Sequence, residues 1–321
     1  MIGSVRVAIV GCGRMGAERA NQAAHAGATI AHCADTDQER ARSLAAQFGA
    51  KPISDAHSIP WRDIQAVFVC TPPSLRAVVL DAIAAGVAVF MEKPVGLTKH
   101  DGTVLSKAVE SHPVVNAVGY MNRYRPSVLS ARAFAEASNL SAVAAHWACK
   151  RYAVPWWELP SLSGGPFNEQ ATHLVDLFRY VAGDIAEVRA FAGPEGNERS
   201  ISRAAVAIRF ENGAVGTLVY TCEASAKHIG LHIVTTRGAV ELRGWNFALA
   251  GADDGPEPNP FALETRAFLT AVEADDERSI LCDIADATKT QSAVDDMRRG
   301  FAEGMQRGSG PSSSSEKASA V

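Results

Sequence analysis

"VRVAIVGCGRMG", residues 5–16, decides the fold. A short apolar run (5–10) breaks at Gly11, Gly13 and Gly16, and a helical pattern follows from about residue 15 to 26. In a strand–turn–helix that receives a dinucleotide, the three glycines meet separate demands: a tight turn, close approach of backbone to a pyrophosphate, and tight packing of helix on strand. The helix start offers unpaired N–H groups and a partial positive charge to the phosphates. Arg14 and Met15 complete the candidate cofactor contacts of this loop, Met15 also suiting plain packing.

The same rhythm extends outward. "TIAHCA" (Thr29–Ala34) reads as a second strand and Gln38–Phe48 as a second helix. "AVFVC" (66–70) and "VAVFM" (87–91) bracket the helical "SLRAVVLDAIAAG", and a helix over 98–111 precedes "VVNAVGY" (114–120). Continuous apolar strands separated by helices of ten or more residues predict an α/β fold: a doubly wound, parallel Rossmann sheet covered on both faces, here over residues 1–121. Asp35 ends the second strand nineteen residues after Gly16. A carboxylate there accepts hydrogen bonds from both ribose hydroxyls and repels a 2′-phosphate, which favours NAD. The alternative is that Asp35 caps the helix starting near Asp37. Arg40 leaves room for NADP.

After about Pro126 the rhythm changes. A helix over 126–137 precedes "SAVAAHWACK", and "VPWWELPSLSGG" reads as a loop. Then come "AEVRAFAG", "RAAVAIRFENGAVGTLVY" and "HIGLHIVTTRGAVELRG", strand-like runs whose "ENGA" and "TRGA" breaks read as hairpin turns. Consecutive strands predict a second, α+β domain over 122–305 with a large, mostly antiparallel open sheet. Helical patterns return at 260–272 and 284–298, and the small, polar stretch 306–321 is expected to be a disordered tail.

At 321 residues with 47% hydrophobic and 21% charged residues, the chain can bury two cores, and a net charge of −4 gives no reason to expect nucleic acid or an anionic membrane as partner. No apolar run approaches the ~18 residues of a membrane span, and no signal-peptide pattern opens the chain, so a cytoplasmic location is expected. The six cysteines are singly spaced, the pattern of buried, reduced thiols.

Two further segments carry chemistry. "SGGPFNEQATHLVDL" (163–177) puts Glu169 and His173 four residues apart, on one face of a helix: two metal ligands, an acid/base pair, or a buried couple. A zinc site as a rule needs a third protein ligand, and the remaining histidines, His146 among them, are scattered, so no metal centre is expected. "MEKP" ends the strand at 87–91, where Glu92 and Lys93 approach the crevice in which open α/β sheets bind ligands.

"VAIVGCGRMG", "CTPPSLRAVVLDAIAAGVAVFMEKPVG", "GYMNRYRP" and the 163–173 segment occur in that order. Together they resemble the glucose–fructose oxidoreductase / inositol dehydrogenase / rhizopine-catabolism (Gfo/Idh/MocA) family. The resemblance runs to about residue 304 and includes "ETRAFLTAVEA" as a C-terminal helix. It implies a Rossmann domain plus a domain whose open sheet builds homodimers or homotetramers. It also implies interconversion of a secondary alcohol and a ketone on a sugar, cyclitol or similar polyol with NAD or NADP. The family's second-domain signature sets His173 on its histidine and Glu169 on its aspartate, with Ser163 and Ala171 in place of glycines.

On that resemblance His173 takes the alcohol proton, as suits an imidazole of ordinary pKa near 6.5, and Lys93 hydrogen-bonds the same oxygen. Glu169 orients the imidazole or contacts a neighbouring substrate hydroxyl. Cys70, Thr71, Pro72 and Pro73 fall where the family lines its cofactor cleft; family members often carry histidine where Arg76 stands. Asn122 and Arg123 leave the last Rossmann strand toward nicotinamide or substrate, unless Arg123 and Arg125 are surface charges. Arg151, Tyr152, Trp156 and Trp157 are candidate walls of a substrate pocket, the alternative being tryptophans that stack on each other or cover a core. Competing readings are a dihydrodiol or non-sugar carbonyl oxidoreductase, a glycoside hydrolase working through transient NAD oxidation, and a non-catalytic NAD(P)-binding regulatory protein. Retention of Lys93 and His173 counts against the last.

Overall fold

The computed structural model describes residues 4–193, 201–251 and 258–308. Strands β1 (Arg6–Val10), β2 (Thr29–Ala34), β3 (Lys51–Ile53), β4 (Ala66–Val69), β5 (Ala88–Met91) and β6 (Asn116–Val118) form a parallel sheet in the order β3-β2-β1-β4-β5-β6. Helices α1 (Arg14–His25), α2 (Gln38–Phe48), α3 (Ala77–Ala84) and α4 (Lys99–Ser111) connect them. Strand order reverses between β1 and β4, which opens a crevice at their carboxyl ends. β4 and β5 are buried at every position, and this is why they read as unbroken apolar runs. β3 went unpredicted: it has three residues, none fully buried, and Pro52 at its centre.

The second domain starts with α5 (Pro126–Glu136) and β7 (Leu140–Lys150), then α6 (Pro160–Ser163), a π-helical turn (Phe167–Ala171) and α7 (Thr172–Ala182). β8 (Ile185–Ala192), β9 (Arg203–Phe210), β10 (Val215–Thr221), β11 (Glu223–Thr235), β12 (Gly238–Arg243) and β13 (Ala248–Leu249) follow. The sheet order is β13-β12-β11-β7-β10-β9-β8, and only the β7–β10 pair is parallel. Both predicted hairpin turns form, with Gly213 in the left-handed region (φ 87°) between β9 and β10. β9 alternates exposed and buried residues along its length, so one face of the sheet packs on α5 and α7 while the other is open. α7, by contrast, is buried on every side.

The chain then crosses back. α8 (Pro260–Ala274) sets Phe268 against Phe68 and Phe90 of the Rossmann sheet, at centroid distances of 5.3 and 5.5 Å. α9 (Ile284–Gly308) places Ile284 and Ala287 in the core under β4 and β5. The stretch 122–305 therefore lends two helices to the first core. α9 also continues past the end expected at Arg298, and its backbone helix takes in residues 306–308 of the expected tail; the rest of that tail lies outside the described residues. All six cysteines are free thiols, five of them buried.

Candidate active site

The glycine loop has the tight turn and the close helix packing that the sequence predicts. Gly11 has φ 86°, and a Cβ there would lie 2.8 Å from the Cys70 carbonyl oxygen. A Cβ on Gly16 would come within 1.9 Å of the Gly11 oxygen, so α1 can pack this close only with glycine. Beside Gly13 there is nothing within 4 Å, which is the space a pyrophosphate needs over the N-terminus of α1. Asp35 accepts hydrogen bonds from the Cys12 N–H (2.7 Å) and the Asp37 N–H (2.8 Å), so its carboxylate is fixed at the loop. Asp37, not Asp35, caps α2 by accepting from Glu39 and Arg40 N–H groups. Arg40 is exposed, paired with Asp37 at 3.2 Å, and lines an open cavity of about 300 Å³ with Cys12, Glu39 and Gln47. These residues fit a dinucleotide.

Successive side chains leave a strand end in opposite directions, and this separates Glu92 from Lys93. Glu92 turns under the sheet, where Arg19 of α1 donates to it at 2.7 Å and also reaches Glu264 of α8 at 2.6 Å. All three are buried, so the Glu92 carboxylate is engaged in this internal cluster. Lys93 turns into the crevice. Its Nζ donates to both the carboxylate and the backbone carbonyl of Glu169, each at 2.9 Å, joining the two domains.

The segment carrying Glu169 and His173 is shaped by its small residues. Gly164 ends α6 at φ 77° and Gly165 follows at φ 92°. Ser163 donates to the Trp157 carbonyl (2.8 Å) and accepts from the Gly165 N–H (2.9 Å), so the hydroxyl that replaces a family glycine ties the loop together. After Pro166 the backbone makes a π-helical turn before settling into α7, a widening often found at functional sites. The Glu169 carboxylate meets Lys93, and no hydrogen bond joins it to His173; the expectation that it orients the imidazole is corrected on this point. Its Oε1 is buried without a partner.

His173 is 8% exposed. Its ring stacks on Trp147 of β7 (centroids 5.6 Å apart, 11° between planes), and Tyr120 meets it edge-on at 6.5 Å. Nδ1 is buried with no hydrogen-bond partner. Burial, and then the positive charges of Lys93 and Arg125, hold the imidazole well below its ordinary pKa, so it is neutral at neutral pH. The charge of Lys93 thus bears on the imidazole, although eighty residues separate them in the chain.

The other candidates divide. The Cys70 carbonyl packs against Gly11, Thr71 donates to the Leu75 carbonyl (2.8 Å), and Pro72 and Pro73 lead to Ser74, whose N–H reaches the Leu162 carbonyl of the second domain (3.3 Å). Asn122 is buried and accepts from Arg125 Nε at 2.8 Å. For Arg123 the surface-charge alternative is corrected. Its guanidinium is 4% exposed and committed to Asp176, Asp286 and the Leu281 carbonyl. Arg125 is buried too. Trp157, at 1% exposure, is a core residue packed on Tyr152 at 5.4 Å, not an open pocket wall. Tyr152 and Trp156 are half-buried and Arg151 is exposed; burial pushes the Tyr152 hydroxyl up to about 12. Trp147, Tyr120 and Arg125 around His173 were not anticipated; the inward alternation of "SAVAAHWACK" was the one signal for Trp147. Among the described residues no three His, Cys, Asp or Glu side chains converge as metal ligands.

Residues 5–120 match the model of an oxidoreductase family with an NAD-binding Rossmann fold, and residues 132–241 match the Gfo/Idh/MocA C-terminal domain. The chain belongs to the Gfo/Idh/MocA family. Within that family it is 32% identical over 198 residues to inositol 2-dehydrogenase of Acidothermus cellulolyticus, a match taking in 59% of this chain and 57% of that enzyme. It is 26% identical over 251 residues to scyllo-inositol 2-dehydrogenase (NAD(+)) of Bacillus subtilis, covering 74% of this chain and 73% of the relative. The WlbA dehydrogenase of Bordetella pertussis, solved with NADH and UDP-GlcNAcA, shares the fold at a TM-score of 0.83 and 22% identity over 94% of this chain and 97% of that one. The Gfo/Idh/MocA fold thus accounts for both sheets.

Proposed function

We propose that this Gfo/Idh/MocA protein is an NAD-dependent dehydrogenase that interconverts a secondary alcohol and a ketone on a cyclitol, sugar or similar polyol. The observation that supports the reading is the bridge from Lys93 to Glu169, which ties the ammonium group of one domain to the turn that leads into the buried His173 of the other. Gly11, Gly13, Gly16 and Asp35 would hold the dinucleotide, which when bound supplies the acceptor for the hydride leaving the carbinol carbon. His173, neutral at working pH, takes the hydroxyl proton as the carbonyl forms. Lys93 holds the same oxygen and stabilises charge developing on it. Glu169 sets the ammonium group and keeps Oε1 for a neighbouring substrate hydroxyl. The open face of the second sheet is the surface for homodimer or homotetramer assembly.

Incubating the protein with inositols, aldoses, other polyols and dihydrodiols, with NAD and NADP in parallel, tests this by NADH absorbance. Stoichiometric NADH from a cyclitol or sugar is the expected result. NAD binding without turnover of any alcohol points instead to the regulatory reading, and NADP preference overturns the argument from Asp35. His173→Ala and Lys93→Ala should each lower turnover by about 10²–10⁴-fold while the NAD dissociation constant stays within a few-fold. Near-normal turnover in either variant removes that residue from the reaction.

A further inference from the structure

Arg76 stands at the start of α3, 7% exposed, and among the described residues makes no hydrogen bond to a carboxylate. Its Nη2 donates to the Glu92 and Pro94 carbonyls, both at 2.8 Å, and its Nη1 to the Thr71 carbonyl at 3.1 Å. Nε meets no acceptor. A buried guanidinium satisfied mainly by neutral carbonyls is an expensive arrangement. Burial lowers its pKa to about 10, opposed first by the charge of Glu169 and then by that of Glu92.

The placement shows what the arrangement does. Glu92 and Pro94 flank Lys93, so one nitrogen grips the peptide groups on both sides of that lysine. The other nitrogen ties them to the loop after β4, the same loop that touches Gly11 and, through Ser74, the second domain. A planar fork with several fixed donors can do this; an ammonium group cannot span both loops in the same geometry.

We propose that Arg76 is a positioning residue for Lys93: by clamping the loops after β4 and β5 it sets where the ammonium group stands against Glu169 and His173. The inference rests on the reading in which Lys93 acts on the substrate oxygen. A structural role confined to satisfying loop carbonyls predicts a less stable protein with an undisturbed lysine. The positioning role predicts a folded protein in which Lys93 has moved.

Two measurements on the full chain separate these. In competitive acetylation read by mass spectrometry, Arg76→Met should raise the reactivity of Lys93 about 10-fold relative to the exposed Lys51 and Lys107, as the side chain leaves Glu169. This needs no substrate, so it stands even where no alcohol is turned over, an outcome that counts against the proposed function and not against Arg76. Where turnover is found, Arg76→Met should lower kcat about 100-fold and add less than about 3-fold to the loss caused by Lys93→Met, because residues acting through one group are not additive. Unchanged Lys93 reactivity, or losses that multiply in the double variant, overturns the proposal. If Arg76→Met fails to fold, Arg76→Lys keeps a buried cation, and the same two outcomes decide it.

Discussion

An imidazole enclosed by Trp147, Tyr120 and its own helix gains a proton only against burial and the charge of Lys93. In the unfolded chain His173 titrates near 6.5; in the folded protein it titrates well below that. As pH falls through 6.5 the unfolded state takes up a proton that the folded state does not, so this group's contribution to stability is complete above that pH and shrinks below it. For catalysis the consequence is direct: the acid limb of the alcohol-oxidation profile should lie well below 6.5, and a limb centred at 6.5 would show that His173 is not the base. His173, Glu169 and Lys93 were legible because each sits in a short local pattern. Their partners were not. Lys93 finds Glu169 across 76 positions and Arg123 finds Asp176 across 53, separations that no local periodicity encodes. Arg123 was open between a site contact and a surface charge, because nothing local in the sequence shows the buried Asp176 and the half-buried Asp286 and Leu281 carbonyl that take its guanidinium.

Helices and strands with a clear period came out close to their predicted bounds, with α2 matched at both ends by its Asp37 cap and left-handed Gly49. The π-helical turn did not, because a single irregular turn leaves the hydrophobic pattern almost unchanged. Nor did the junction of α1, β5 and α8, where Arg19, Glu92 and Glu264 meet in the interior. Two carboxylates share one guanidinium there, and burial, partly countered by Arg19, raises Glu264 to about 8. The sign follows from linkage: the folded state holds this proton from the unfolded value of 4.5 up to about 8, so stability is fully present below 4.5 and declines as pH rises through 8. Urea midpoints of the wild type should therefore decline from pH 6 to 8.5, and Glu264→Gln, which keeps the shape without the titration, should remove a decline of about 2–3 kcal/mol over that range. An unaltered slope in the Gln variant would assign the pH dependence elsewhere.

At the scale of the molecule, two sheets are closed very differently. The Rossmann sheet has helices on both faces, and α8 returns from the far end of the chain to complete one of them. The second sheet keeps a bare face. On it Val215 and Val219 of β10 are each 54% exposed and Phe191 of β8 is 71% exposed, beside the exposed Ala205 and Ala207 of β9. Alternation along these strands was legible, but whether the outward positions met water or another chain was not, since alanine and valine suit either. A lone polypeptide gains nothing from valines pointing outward along a broad sheet, whereas a second copy laid on that face removes them from water at roughly 25 cal/mol per Å². Light scattering should give a dimer or tetramer for the wild type. Val215→Lys with Val219→Lys places like charges at the centre of that contact and should lower the mass of the assembly at micromolar concentration, with NAD affinity retained because β10 lies in the second sheet whereas the glycine loop follows β1 of the Rossmann sheet. An unchanged oligomer in the double variant would move the interface off this face, and a monomeric wild type would mean that the exposed valines are tolerated without a partner.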